Sequence, residues 1–145
     1  MVAKLWVRFL LSYEETIRFH GHNGPFLAIG YRAGCFAIAR LVPSSVVDLF
    51  CVAKLPDRKP FTCIVDGIQC STSCTFGKKN IRIEPKDGEV EIFFERKDGG
   101  RLVMRLIPGL VEQALECEDL DKCAEEILGK PLNQIFVVEE SPSQG

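Results

Sequence analysis

The 145-residue chain contains no apolar run near the roughly 18–20 residues that a bilayer crossing needs, so no membrane span is expected. It has no basic excess: 18 Lys and Arg against 20 Asp and Glu leave a formal charge of −2. That argues against a protein that binds nucleic acid by bulk charge, because phosphate binding needs a basic face. No secretory leader is expected. The apolar stretch from Met1 to Leu11 is interrupted by Arg8, lacks a small-residue cleavage site and runs into Tyr13-Glu14-Glu15. Internal repeats and low-complexity linkers are absent, and no C-x₂-C pair marks a zinc ribbon. Histidine is scarce, with two residues, whereas cysteine is plentiful, with seven. An odd cysteine count without a leader argues against a full disulfide framework and for a reducing, cytoplasmic setting, where clustered cysteines bind metal or do redox chemistry.

The 46% hydrophobic and 26% charged content fits one ordinary globular domain. We place it over residues 1–140, with 141–145 as a disordered tail. Apolar spacing predicts one or two helical pieces ending near Phe19, then a tight loop, then a long buried helix from Phe26 to Leu41. Val46–Leu55 and Phe61–Val65 read as strands, and Ile68–Cys74 as a short helix. Three strands follow over 80–84, 89–97 and 101–107, with hairpin chemistry at Pro85–Gly88 and Asp98–Gly100. Helices are expected from Pro108 to about Glu116 and from an Asp119 cap to near Gly129, and a final strand over Ile135–Val138. The fold class is α+β: N-terminal helices packed on a mixed, mostly antiparallel sheet, with C-terminal helices.

Both histidines lie in one loop, His20-Gly21-His22. In a regular helix residues two apart point about 200° apart and cannot share a ligand, but a glycine loop lets them converge. Neutral imidazole is the commonest metal ligand, which makes this pair the first candidate site. The second concentration is Cys63, Cys70 and Cys74, with Cys63 expected at a strand end and Cys70 and Cys74 on one helix face. Cys35, Cys51, Cys117 and Cys123 lie in apolar or helical patterns and read as small core hydrophobes. Thiolate and imidazole together suit Zn²⁺ or a similar ion. The segment Thr75-Phe76-Gly77-Lys78-Lys79-Asn80 is a turn whose glycine and lysines can seat an anion. The acids near the C-terminus read as wet helix faces.

Taken together, His20-Gly21-His22-x-Gly24-Pro25-Phe26-Leu27-Ala28, Cys63-x-x-Asp66-Gly67-Ile68-Gln69 and Cys74-Thr75-x-Gly77-Lys78-x-Asn80 resemble the FmdE family of formylmethanofuran dehydrogenase subunits over about residues 12–110. The resemblance implies a metal-binding α+β core that forms a homodimer, with a His/Cys zinc-type site in a cleft. Carried over, its motif positions are His20, His22, Cys63 and Cys74. His22, Cys63 and Cys74 are first-choice ligands and His20 the second choice. Asp66 and Gln69 would orient a ligand imidazole or face a substrate, and Thr75, Gly77, Lys78 and Asn80 would line the same cleft. The C-terminal cysteine-rich ribbon of longer members has no counterpart among the cysteines here.

Three functions compete. The first is a metal-binding protein accessory to a molybdenum or tungsten formylmethanofuran dehydrogenase, or to a related anaerobic pathway, with subunits of that enzyme as partners. The second is a stand-alone zinc enzyme in which Asp66 is the base and Lys78 a charge stabiliser. The third is a thiol redox or sulfur-transfer protein using Cys63, Cys70 and Cys74.

Overall fold

The computed structural model describes residues 2–142, with side chains from Leu5 onward. A 3₁₀ helix over Val2–Phe9 leads into α1 (Tyr13–His20). Ser12 starts α1 with a capping box: its hydroxyl accepts from the Glu15 amide, and its own amide donates to the Glu15 carboxylate. Gly21, at φ 103°, stops α1 in a left-handed conformation that a side chain would resist. Pro25 then opens α2 (Pro25–Leu41) at a position where its missing N–H costs nothing. The chain continues through β1 (Leu49–Leu55), α3 (Cys63–Thr72), β2 (Ile81–Pro85), β3 (Glu91–Arg96) and β4 (Arg101–Leu106). It ends with α4 (Pro108–Leu115), α5 (Leu120–Gly129) and β5 (Phe136–Ser141).

The strands form one five-stranded sheet in the order β2-β1-β3-β4-β5. Only β1 and β2 pair in parallel, with Cys51 opposite Ile81; the other pairs are antiparallel. The class is therefore α+β, as expected, but the strand reading needs two corrections. The first is that Phe61–Val65 is not a strand. Cys63, Ile64 and Val65 donate to Pro60, Phe61 and Thr62 as the first turn of α3. A short apolar run is compatible with either a buried strand or a buried helix, and here Ile64, Val65 and Ile68 are buried beneath α2 and the sheet. The second is that β2 and β3 do not form a hairpin. β1 lies between them, so Pro85–Gly88 is a crossing loop. The Asp98–Gly100 turn does join neighbours, β3 and β4. Ser141, expected in the tail, closes β5, while 143–145 lie outside the described residues.

The core lies between the sheet and α2, with Leu49, Cys51, Ala53, Ile92, Phe94, Leu102 and Met104 facing the helices. The other sheet face carries Phe50, Val52, Phe93 and Val103 between ion pairs, Arg101–Glu95 and Arg105–Glu91 among them. The tightest packing is between α2 and α3. A Cβ on Gly30 would stand 1.9 Å from the Ile64 carbonyl oxygen, and one on Gly67 would stand 2.4 Å from that of Leu27. Along the same line Gly34 meets Ser71, so the two helices run in the same sense and present their N-termini at one end of the molecule.

Gly30→Ala sets two effects against each other. Alanine favours a helix interior by up to about 1 kcal/mol, whereas forcing a methyl into backbone costs about 1–3 kcal/mol or more. Because the obstructing atom is a main-chain oxygen that cannot swing away, we expect a net loss, read as a lower urea midpoint at unchanged m-value.

Candidate metal centre

Three of the four motif positions meet at the shared end of α2 and α3. His20 is the last residue of α1, His22 follows one residue past the Gly21 stop, and Cys63 is the first residue of α3. One ligand atom from each of His20, His22 and Cys63 lies within 4.8 Å of the other two. The imidazole rings of His20 and His22 are tilted together with centroids 4.5 Å apart. The glycine loop thus brings the H-x-H pair onto one point, as its composition allows.

The His20 environment is specific. Its side chain is 11% exposed, and Nδ1 lies 2.6 Å from Asp66 Oδ2. The carboxylate accepts from Nδ1–H, which leaves the Nε2 lone pair free. Nε2 is buried and has no hydrogen-bond partner. A buried acceptor left unmatched costs about 1–3 kcal/mol, so its environment calls for a Lewis acid or a donor. A carboxylate on the far nitrogen is how metal-bound imidazoles are oriented. The other Asp66 oxygen accepts from Gln69 Nε2 at 3.2 Å, and Gln69 Oε1 accepts from the Phe76 amide at 3.1 Å. Gln69 therefore connects the carboxylate to the 73–80 loop.

His22 is exposed, with Nδ1 2.9 Å from the Asn23 carbonyl. Donation from Nδ1–H there leaves Nε2 as its ligand atom as well. Asn23 is held by Tyr13 Oη on its side-chain oxygen and by donation to Asp121 on α5, 3.0 Å away. Burial, reinforced by the Asp66 charge, pushes the Cys63 thiol above the ordinary thiol range, while Lys59 acts in the opposite sense. A metal ion taking this sulfur displaces its proton. Two imidazoles and one thiolate are together a donor set able to hold a divalent transition ion.

Cys74, a first-choice ligand from the sequence, is not in this group. It is 0% exposed, its sulfur contacts the Leu49 carbonyl at 3.5 Å, and it packs under the sheet near Cys51. Cys70 is buried against Thr16 of α1. It lies two helical turns from Cys63, roughly 10 Å along the axis. The 73–80 loop is built largely on itself. The Thr75 amide donates to Asn80, whose side chain donates in turn to the Val46 and Leu49 carbonyls. Lys78 donates to the Ser73 carbonyl and the Thr75 hydroxyl. A Cβ on Gly77 would meet only the Thr75 hydroxyl, at 4.0 Å. These residues shape a loop whose tip, Phe76, reaches the cleft.

That cleft, about 460 Å³, opens over the triad and is also lined by Asp66, Phe76, Lys59 and Thr62. Lys59 and Thr62 escaped the sequence reading because Pro56–Pro60 reads as an ordinary polar turn and Thr62 falls in the run read as a strand. A second cavity of about 150 Å³ is also lined by His22 and Cys63 and is walled by Leu115, Cys117 and Leu120. Cys117 is bonded to Cys123, with a Cα separation of 6.5 Å. This corrects the reading of both as core hydrophobes: Cys117 lies in the α4–α5 turn and Cys123 in the first turn of α5, which brings them together.

The model of the family described as "FmdE, Molybdenum formylmethanofuran dehydrogenase operon" matches residues 19–136. The chain belongs to this family. The match begins at the residue before the histidine motif and runs to β5, so it takes in the whole site. A relative from Archaeoglobus fulgidus, described as a probable S-adenosyl-L-methionine-binding protein, is 31% identical over 80 residues. That stretch is 51% of this chain and 20% of the relative, so the chain spans only a fraction of the relative's length. No helix among the described residues is long and apolar enough to cross a membrane.

Asp66→Asn keeps the shape but removes the charge and the enforced tautomer of His20. We expect zinc affinity to fall about 10- to 100-fold, the usual effect of losing such a support, measured by competition with a chromophoric chelator, with the far-UV spectrum unchanged.

Proposed function

We propose that this FmdE-family chain is a metal-binding protein in which His20, His22 and Cys63 hold Zn²⁺ or another divalent transition ion with one coordination position open to the cleft. The observation that carries this reading is the buried, unpartnered Nε2 of His20, on a ring backed by Asp66 and grouped with His22 and Cys63. The family match supports a role accessory to a molybdenum or tungsten formylmethanofuran dehydrogenase or a related anaerobic pathway. A cytoplasmic location belongs to the same proposal. The S-adenosylmethionine of the relative's name is not carried over, because the aligned stretch covers one fifth of that protein.

A second reading, a metal-dependent enzyme, is favoured by the cleft itself. When bound, an ion with an open position supplies Lewis acidity or an activated water. The chain's own groups would do the rest: Lys59 draws an anionic group into the cleft, Phe76 offers an apolar wall, and Asp66 holds His20 in place. Lys78, considered from the sequence as a charge stabiliser, is bonded within its own loop. The thiol-transfer reading has the least support, since Cys74 and Cys70 are buried in separate places away from Cys63.

The test is metal per chain after anaerobic purification without an affinity tag. We expect close to one equivalent for the native chain and for Cys74→Ser, and almost none for Cys63→Ser or His20→Ala. Full occupancy in the last two would overturn the ligand set. The homodimer stays part of the proposal, supported by the balanced charges around the apolar outer sheet face. Sedimentation equilibrium is expected to return twice the chain mass, and a monomer at micromolar concentration would contradict it.

A further inference from the structure

The Cys117–Cys123 pair lies outside the triad but not far from it. Cys117 shares the walls of the 150 Å³ cavity with His22 and Cys63. The segment that carries the pair is tied to the histidine loop at two points. Asp121 accepts from Asn23, the neighbour of His22, and Leu120 reaches the same space as the His22 ring, each 3.9 Å from where a Cβ on Gly24 would be. In the described structure Cys117 is spent in the disulfide and is no ligand. The five other cysteines are free thiols. A lone disulfide among free thiols is the pattern of a pair that forms and breaks in use rather than of a secreted framework.

We propose that Cys117 is a redox-controlled ligand of the same centre, a thiolate that closes the fourth metal position when its bond to Cys123 is reduced. The inference rests on the triad reading above. The step is a two-electron reduction. A cellular dithiol breaks the S–S bond and becomes a disulfide itself, and its two protons pass to Cys117 and Cys123. The ion then displaces the proton from Cys117. Two imidazoles and two thiolates complete a closed tetrahedral shell, which is the structural type of zinc site, whereas the oxidised form keeps three protein ligands and an open position. The pair thus selects between a sealed and an accessible metal, and the reducing potential of the surroundings sets the choice. Exposed Leu115 and Leu120 bracket Cys117 on the turn, and both line the cavity that Cys117 shares with His22 and Cys63.

Cobalt(II) replaces zinc in such sites and reports each thiolate by its near-ultraviolet sulfur-to-metal charge-transfer absorption. The experiment loads the full chain with cobalt before and after reduction by a phosphine, which takes up oxygen from water and brings no sulfur to the ion. In the native chain we expect the band to double on reduction. Cys123→Ser should show the doubled band without reductant, and Cys117→Ser the single band under both conditions. Alkylation followed by mass spectrometry should find Cys117 protected by metal in the reduced chain and Cys123 open. A single band in the reduced native chain and in Cys123→Ser would overturn the proposal. Failure of the triad reading looks different: cobalt absorption would persist in Cys63→Ser, or be absent from the native chain in both states.

Discussion

The close crossing of α2 over α3 is the constraint on which the rest of the structure depends. Gly30 and Gly67 let main chain meet main chain, each taking the space where a side chain would stand. Helices that approach so closely and in the same sense must begin at the same end of the molecule. The residues before α2 and the first turn of α3 are therefore neighbours, although 41 positions separate His22 from Cys63. Two helix N-termini there also add partial positive charge, which favours a thiolate over a thiol. Burial and Asp66 push the Cys63 thiol the other way. An unloaded Cys63 is thus held protonated by its surroundings, and a cation is what releases it.

Around that junction the polar groups form a chain rather than a cluster. His20 bonds to Asp66, Asp66 to Gln69, and Gln69 to the amide of Phe76. The 73–80 loop is in turn fastened to β1 through Asn80. A group at the metal position is therefore linked, bond by bond, to the loop that overhangs the cleft. Such networks are worth more when every member is satisfied. The one buried atom of this chain of bonds without a partner is His20 Nε2, on the imidazole that belongs to the triad.

Much of this was legible in the sequence. The glycine loop with both histidines, the Pro25 start of α2, the Asp119 cap of α5 and the β3–β4 turn each carry local chemistry that the structure repeats. What misled was non-local. Phe61–Val65 has no periodicity to separate strand from buried helix, and that error put Cys63 on the wrong kind of element. The strand order β2-β1-β3 could not be read from turn residues, because Pro85–Gly88 has the composition of a hairpin but spans a strand. The resemblance put Cys74 among the ligands, whereas its neighbours are Leu49 and Cys51. The Cys117–Cys123 bond was missed because five intervening residues around a helix start look like any other turn.

A three-residue centre on two parallel helix starts is the central claim, and X-ray absorption at the zinc edge of the oxidised, fully loaded protein tests it most directly. The account predicts one sulfur and two imidazoles around zinc, with the remaining position taken by a light atom. Two or more sulfurs in the oxidised protein, or a shell without imidazole scattering, would contradict it.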